Sequence, residues 1–283
     1  MQSKQPVPAA EGGALRSNLA QRVIAALVLA PIALGAVFYG GWIWFALAAA
    51  IGAGLYLEWL SVIGSLGEKR IAIAGLVSLA VTAAIVAAGR IEWMPIAVGI
   101  GAILIAAMAS TGKRAWSAAG LIYAAAALVA AVVVRGEGAF GLVAMLFVFA
   151  IVWATDILGY FAGRGIGGPK LWPRVSPKKT WAGALGGFAG SIAIGGLFAA
   201  LGAGRAAPLV LLAGVLSIVS QAGDLFESAL KRRFDVKDSS QLIPGHGGLL
   251  DRLDGFVAAV TVAALIGTWR AGSGEAARGL LQW

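Results

Sequence analysis

Apolar residues run along this chain in long unbroken stretches, not in the alternation of a half-buried strand. They cover roughly residues 23–39, 42–60, 71–88, 93–110, 117–134, 139–158, 182–203, 206–225 and 255–270. Each stretch is near the length a helix needs to cross about 30 Å of hydrocarbon. The pattern predicts an all-α, polytopic integral membrane protein with nine transmembrane helices. Residues 1–20, rich in Gln, Ser, Pro, Ala and Gly and without an apolar period, predict a disordered cytoplasmic tail, and residues 21–283 a single membrane domain. The first span is not read as a cleaved leader. No small-residue cleavage site follows it directly, and a second span comes almost at once.

Composition agrees with the pattern and narrows it. Of the 283 residues 60% are hydrophobic and only 12% charged, about half the usual share for a water-soluble domain. That excludes an ordinary soluble enzyme, a nucleic-acid-binding module and a disordered chain. The net charge of +9 therefore does not imply a nucleic-acid partner. It fits basic loops that orient spans and face anionic lipid. With nine spans and the N-terminus inside, the inside segments hold 17 of the 22 Lys and Arg residues. This predicts N-inside, C-outside. There is no cysteine and one histidine, which excludes disulfides, thiolate metal sites and sites built from several histidines. In the seventh span Gly183, Gly187, Ser191 and Gly195 form an i, i+4 ladder of small residues. It predicts close approach of a helix from the same chain, a homodimer being the alternative.

Two stretches interrupt the apolar pattern, 156–181 and 224–254. Together they carry 17 of the 35 charged residues, and both fall on the inside face. In the second, Asp224, Glu227, Ser228 and Lys231 share one helical face if the eighth span continues as a helix. Asp224 stands at or just inside the membrane boundary, where an ionisable side chain suggests function. Ile243-Pro244-Gly245-His246-Gly247-Gly248 must turn, and it opens onto the start of the ninth helix. A glycine loop at a helix N-terminus suits an anion. Asp251 and Asp254, three apart, suit a hard cation, Mg²⁺ above zinc or copper. The plainer reading is that Asp251 caps the helix and Asp254 pairs with Arg252. In the first stretch Lys178 and Lys179 precede a helix start, where cations oppose the helix dipole unless an anion is bound. A lipid-facing basic anchor is the other reading. Carboxylates, a glycine loop and lysines at one inward face fit Mg²⁺ plus a polyphosphate, and so phosphoryl or nucleotidyl transfer involving a membrane-embedded substrate.

From Ser228 the chain reads Lys231-Arg232, Lys237-Asp238, Ser240, Ile243-Pro244, His246-Gly247-Gly248, Asp251-Arg252 and Asp254. This order and spacing resemble the phosphatidate cytidylyltransferase (CDP-diacylglycerol synthase) family. Gln221-Ala222-Gly223-Asp224 and Ser176-Pro177-Lys178-Lys179-Thr180-Trp181 resemble it too, whereas the first 130 residues do so only in apolar character. Gly159 and Gly255 depart from the commoner Ala and Ser, without removing a charge.

The resemblance implies Mg²⁺-dependent conversion of CTP and phosphatidate to CDP-diacylglycerol and pyrophosphate, at a bilayer that is most simply a bacterial inner membrane. It implies that Asp224, Asp251 and Asp254 hold the metal. Gly245, His246, Gly247 and Gly248 would contact phosphate, with Ser228 on the nucleotide side. Lys231, Arg232, Lys237 and Arg252 would offset developing charge, and Asp238 would join the catalytic group. Lys178 and Lys179 would meet either CTP or the lipid headgroup. The rival readings are a CTP-dependent lipid-alcohol kinase and, remotely, an ion-coupled transporter, which would place its charges at mid-span. The Asp-Gly-x-x-Ala-Arg element of CDP-alcohol phosphatidyltransferases is absent.

Overall fold

The apolar stretches fold as helices wherever the chain is described. The computed structural model describes residues 27–240 and 247–283. The tail expected over 1–20, together with Gly245 and His246, lies outside the described residues. Helix α1 is described over Leu27–Tyr39. It is followed by α2 (Gly41–Val62), α3 (Lys69–Ala87), α4 (Met94–Met108), α5 (Arg114–Arg135) and α6 (Gly138–Gly165). A hairpin of β1 (Lys170–Trp172) and β2 (Ser176–Thr180) leads to α7 (Trp181–Ala200), α8 (Ala206–Arg233), α9 (Leu250–Ala271) and α10 (Ala276–Leu281). Among the described residues seven helices are long and apolar enough to cross a membrane. The chain is an all-α polytopic protein in architecture, the short hairpin apart.

Two helices run further than their apolar stretches. α6 continues past residue 158 to Gly165, and α8 past 225 to Arg233, each reaching 28 residues. At 1.5 Å per residue that is about 42 Å, more than the hydrocarbon thickness, so both ends carry polar side chains beyond it. Lys231, Arg232 and Arg233 close α8 in the turn where positive charge suits the helix dipole. Beyond α6, Pro169, Pro173 and Pro177 deny the backbone a helix. The antiparallel hairpin there pairs Lys170 with Thr180 and Trp172 with Ser176. Apolar patterning did not foresee it, because its strands are too short and too polar to show a period. α7 starts where the Thr180 hydroxyl accepts from the Gly183 N–H at 3.1 Å.

The ladder of α7 meets helices of the same chain. A Cβ on Gly183 would stand 2.9 Å from the Gly159 carbonyl oxygen of α6, and one on Gly187 2.5 Å from that of Thr155. Ser191 Oγ and Thr155 Oγ1 are hydrogen-bonded at 2.8 Å, and Thr155 Oγ1 donates to Ser217 Oγ of α8 at 2.9 Å, so one buried hydroxyl cluster joins three helices. At Gly195 the neighbour becomes α8. Two apolar clusters complete the bundle. One gathers Trp44, Phe147, Ile151, Leu216, Val260 and Leu280. The other gathers Leu55, Tyr56, Trp59, Leu121, Leu230, Leu250 and Val257, so it reaches the ends of α8 and α9 that carry the charges. α10, which no apolar stretch predicted, folds back on α9. There Arg270 donates to the Gly279 carbonyl and, at 3.0 Å, to that of Gln282, and lies over the Trp283 ring.

Candidate active site

The C-terminal ends of α6 and α8, the N-terminal ends of α7 and α9, and the hairpin converge on a cavity of about 950 Å³. α6 contributes Asp156 and Tyr160, with Gly159 and Gly163 between them and α7. α8 turns Gln221, Asp224, Glu227, Ser228 and Lys231 onto the wall, the last four on the face that their i, i+3, i+4, i+7 spacing predicts. The first turns of α9 supply Asp251, Arg252 and Asp254. β2 brings Lys178 and Lys179, and β1 brings Lys170. Residues from both charged stretches of the sequence therefore share one chamber.

The charges inside it are arranged in two pairings. Lys179 forms an ion pair with Asp224, and Ser228 Oγ lies 3.5 Å from the same carboxylate. Deeper, Lys231 Nζ lies 2.8 Å from Glu227 Oε2 and 2.6 Å from Asp251 Oδ1. The other oxygen of Asp251 accepts from Ser239 N at 3.0 Å and Gly248 N at 2.8 Å, and lies 3.0 Å from Ser239 Oγ, whose one hydrogen it shares with Glu58. Three N–H donors on one carboxylate, Lys231 among them, favour its ionised form. Asp254 Oδ1 accepts from Gly255 N at 2.7 Å. Glu227 is buried, and its Oε1 has no hydrogen-bond partner.

Most residues singled out from the sequence come together here. Lys178, Lys179, Asp224, Ser228, Lys231, Asp238, Asp251, Arg252 and Asp254 line the cavity. Gly247 adopts φ +84°, and Gly248 spends its N–H on Asp251. Arg232 and Lys237 are exposed and off the wall; Arg232 Nη1 reaches the Val236 carbonyl at 3.5 Å. Among the described residues no three acidic or histidine side chains are gathered tightly enough to enclose a metal ion. Asp251, expected beside Asp224 and Asp254 as a ligand, has both oxygens engaged by Lys231, Ser239 and Gly248.

Besides Asp156 of α6, two acidic residues belong to this region without having been given a role from sequence. Glu227 shares the face of Asp224, but an i, i+3 carboxylate on a helix end looks like surface until its burial is seen. Glu58 of α2 is buried and accepts from Ser239 Oγ (2.9 Å), Ser240 Oγ (2.6 Å), Leu249 N (2.8 Å) and Leu250 N (2.7 Å). The available signal was that α2 carries no other charged residue.

Comparison with known proteins is in keeping with this chamber. The model of the cytidylyltransferase family matches residues 20–269. The chain is similar to the phosphatidate cytidylyltransferase of Brucella abortus, 43% identical over 256 residues that cover 89% of this chain and 94% of that protein. It is 37% identical to the phosphatidate cytidylyltransferase of Pseudomonas aeruginosa over 272 residues, 90% of this chain and 99% of that one. A Bacillus subtilis protein of the same name is 42% identical over 127 residues, 44% of this chain and 47% of that one.

Proposed function

The chain belongs to the cytidylyltransferase family, and from that premise we propose that it transfers CMP from CTP to phosphatidate, releasing pyrophosphate and leaving CDP-diacylglycerol in the bilayer. The observation that carries the reading is the chamber itself. Lysines of the hairpin and carboxylates of α8 and α9 meet in about 950 Å³ at one end of helices apolar enough to span a membrane. A lipid substrate can keep its acyl chains in hydrocarbon while its phosphate enters such a chamber, and CTP can come from water.

In the proposed step an oxygen of the phosphatidate phosphate attacks the α-phosphorus of CTP. The bond from that phosphorus to the β-phosphate oxygen breaks, and its electron pair leaves with pyrophosphate. The attacking phosphate is already anionic near neutral pH, so no strong general base is needed. Lys178 and Lys179 would attract the triphosphate or the headgroup. Arg252 would face the charge that develops on the leaving group. Lys231, held between Glu227 and Asp251, would steady the wall on which Asp224 and Asp254 stand.

Mg²⁺ is part of the proposal. Asp156, Asp224 and Asp254 on the wall are oxygen donors, the chemistry this ion prefers. Mg²⁺ is usually held by one or two carboxylates plus substrate phosphates, so an all-protein cage is not required. Asp254 and Asp224 would hold it, Asp224 by giving up its ion pair with Lys179, and Asp251 would join them only by releasing one of its three partners. When bound, the ion would neutralise triphosphate charge. The basic inside segments support a site facing the cytoplasm, N-inside and C-outside, in a bacterial inner membrane.

The test is purified protein in detergent with phosphatidate, Mg²⁺ and CTP labelled at the α-phosphate or, separately, at the γ-phosphate. Lipid that gains the α-label, with pyrophosphate released, supports the reading. Lipid alcohol that gains the γ-label, with CDP released, replaces it with a kinase.

A further inference from the structure

Glu58 is the one charged residue of α2, and it is 5% exposed. A carboxylate in that position persists only when its oxygens are satisfied. Both are. Oε1 accepts from Ser240 Oγ and Leu249 N, and Oε2 accepts from Ser239 Oγ and Leu250 N. Two of these donors are backbone N–H groups at the start of α9, which has no side-chain cap of its own. The first N–H groups of a helix have no partner within it, and a carboxylate is the acceptor its dipole favours. Glu58 thus caps α9 from a position 192 residues earlier in the chain.

The seat is shaped as well as charged. One turn before Glu58, a Cβ on Gly54 would stand 2.9 Å from Leu249 Cδ2, and a Cβ on Gly248 would stand 2.5 Å from Glu58 Oε2. The start of α9 is therefore pressed against α2 at two glycines. Ser239 links this seat to the cavity, because its hydroxyl lies 2.9 Å from Glu58 Oε2 and 3.0 Å from Asp251 Oδ2.

From this we infer that Glu58 is a positioning residue for the reaction: it fixes the first turn of α9, and through Ser239 the carboxylate of Asp251, so that Asp251 meets Lys231 and Asp254 faces the cavity. The inference rests on the nucleotidyl-transfer reading of the chamber. Glu58→Gln preserves volume but turns an amide N–H₂ toward two donors.

The test uses the full chain in detergent, as wild type, Glu58→Gln, Ser239→Ala and the double variant. It reads kcat and KM for CTP per folded molecule, and amide hydrogen exchange over residues 247–254. The expected result is a kcat lower by about 10- to 100-fold in Glu58→Gln, the scale on which misplacement near 1 Å acts. KM for CTP should stay within about two-fold, exchange over 247–254 should quicken, and the double variant should be no slower than the worse single one. A folded Glu58→Gln with wild-type kcat overturns the inference, as does unchanged exchange. So does an activity loss that only tracks the folded fraction. If Glu58→Gln does not fold, Ser239→Ala decides, with the same kcat and exchange criteria. A wild type that passes no CMP to lipid sinks the reading of the reaction instead, and the exchange data still judge the seat.

Discussion

Lys179, in the short strand that leads into α7, is ion-paired with Asp224 near the end of α8, so the two charged stretches of the sequence meet across the cavity. Each partner keeps roughly a third of its side-chain surface open, 28% and 32%. An exposed pair of this kind contributes little to stability, about 0–1 kcal/mol. In the proposed reaction the pair has another task, which is to part and receive substrate phosphate and metal. Lys179→Met is expected to lower kcat/KM for CTP by about 100-fold, the scale on which single electrostatic stabilisers act, and to leave thermal unfolding in detergent nearly unchanged. Steady-state kinetics and an unfolding curve on the same preparation check both halves.

The deeper cluster behaves differently. Lys231 is 13% exposed between Glu227 at 3% and Asp251 at 9%. Removing one member of a buried charge cluster leaves the others uncompensated, at a cost of about 3–5 kcal/mol. Lys231→Met should therefore lose folded protein before it loses chemistry, and its unfolding midpoint should fall well below that of Lys179→Met. Equal midpoints for the two variants contradict this assignment.

Asp254 and Asp224 are proposed to hold Mg²⁺. Chelation with EDTA should abolish CMP transfer, and readdition of Mg²⁺ should restore it. Asp254→Asn should remain folded and inserted yet lose activity at every Mg²⁺ concentration tried. A folded, fully active Asp254→Asn would sink the metal assignment.

Gly187 lies where a Cβ would meet the Thr155 carbonyl of α6. Overpacking at such a contact costs about 1–3 kcal/mol. Gly187→Leu should part α6 from α7, moving Asp156 and the hairpin away from α8. The expected result is a lower unfolding temperature and a lower kcat together. The same substitution at Gly196, where a Cβ meets nothing within 4 Å, should change neither.

The charge distribution predicts the C-terminus on the outer face. A tag fused after Trp283 should be degraded by protease added outside sealed spheroplasts and spared in inverted vesicles. The opposite pattern contradicts the nine-span, N-inside arrangement.

Much of this protein was legible in one dimension because a bilayer imposes a one-dimensional rule. Hydrocarbon forces backbone groups to pair within a segment, so an apolar run of span length is a helix. The helices over 41–62, 69–87, 114–135 and 181–200 follow directly from that rule. Scarce charge also localised the chemistry, since Asp224, Lys231, Asp251 and Asp254 had few competitors. The partners of those side chains were not legible. Hydrogen bonds and ion pairs depend on which helices touch, and apolar periodicity says nothing about that. Asp251 looked like a metal ligand by its spacing from Asp254, but tertiary packing set it against Lys231, Ser239 and Gly248. Glu58 had no role from the sequence, and only the approach of α2 to α9 revealed the hydrogen bonds at its two oxygens. Sequence alone determined that these helices form and which of them carry charge, because solvation by lipid acts on each segment independently. Only the tertiary structure decided which charges face one another, because that depends on contacts between residues far apart in the chain.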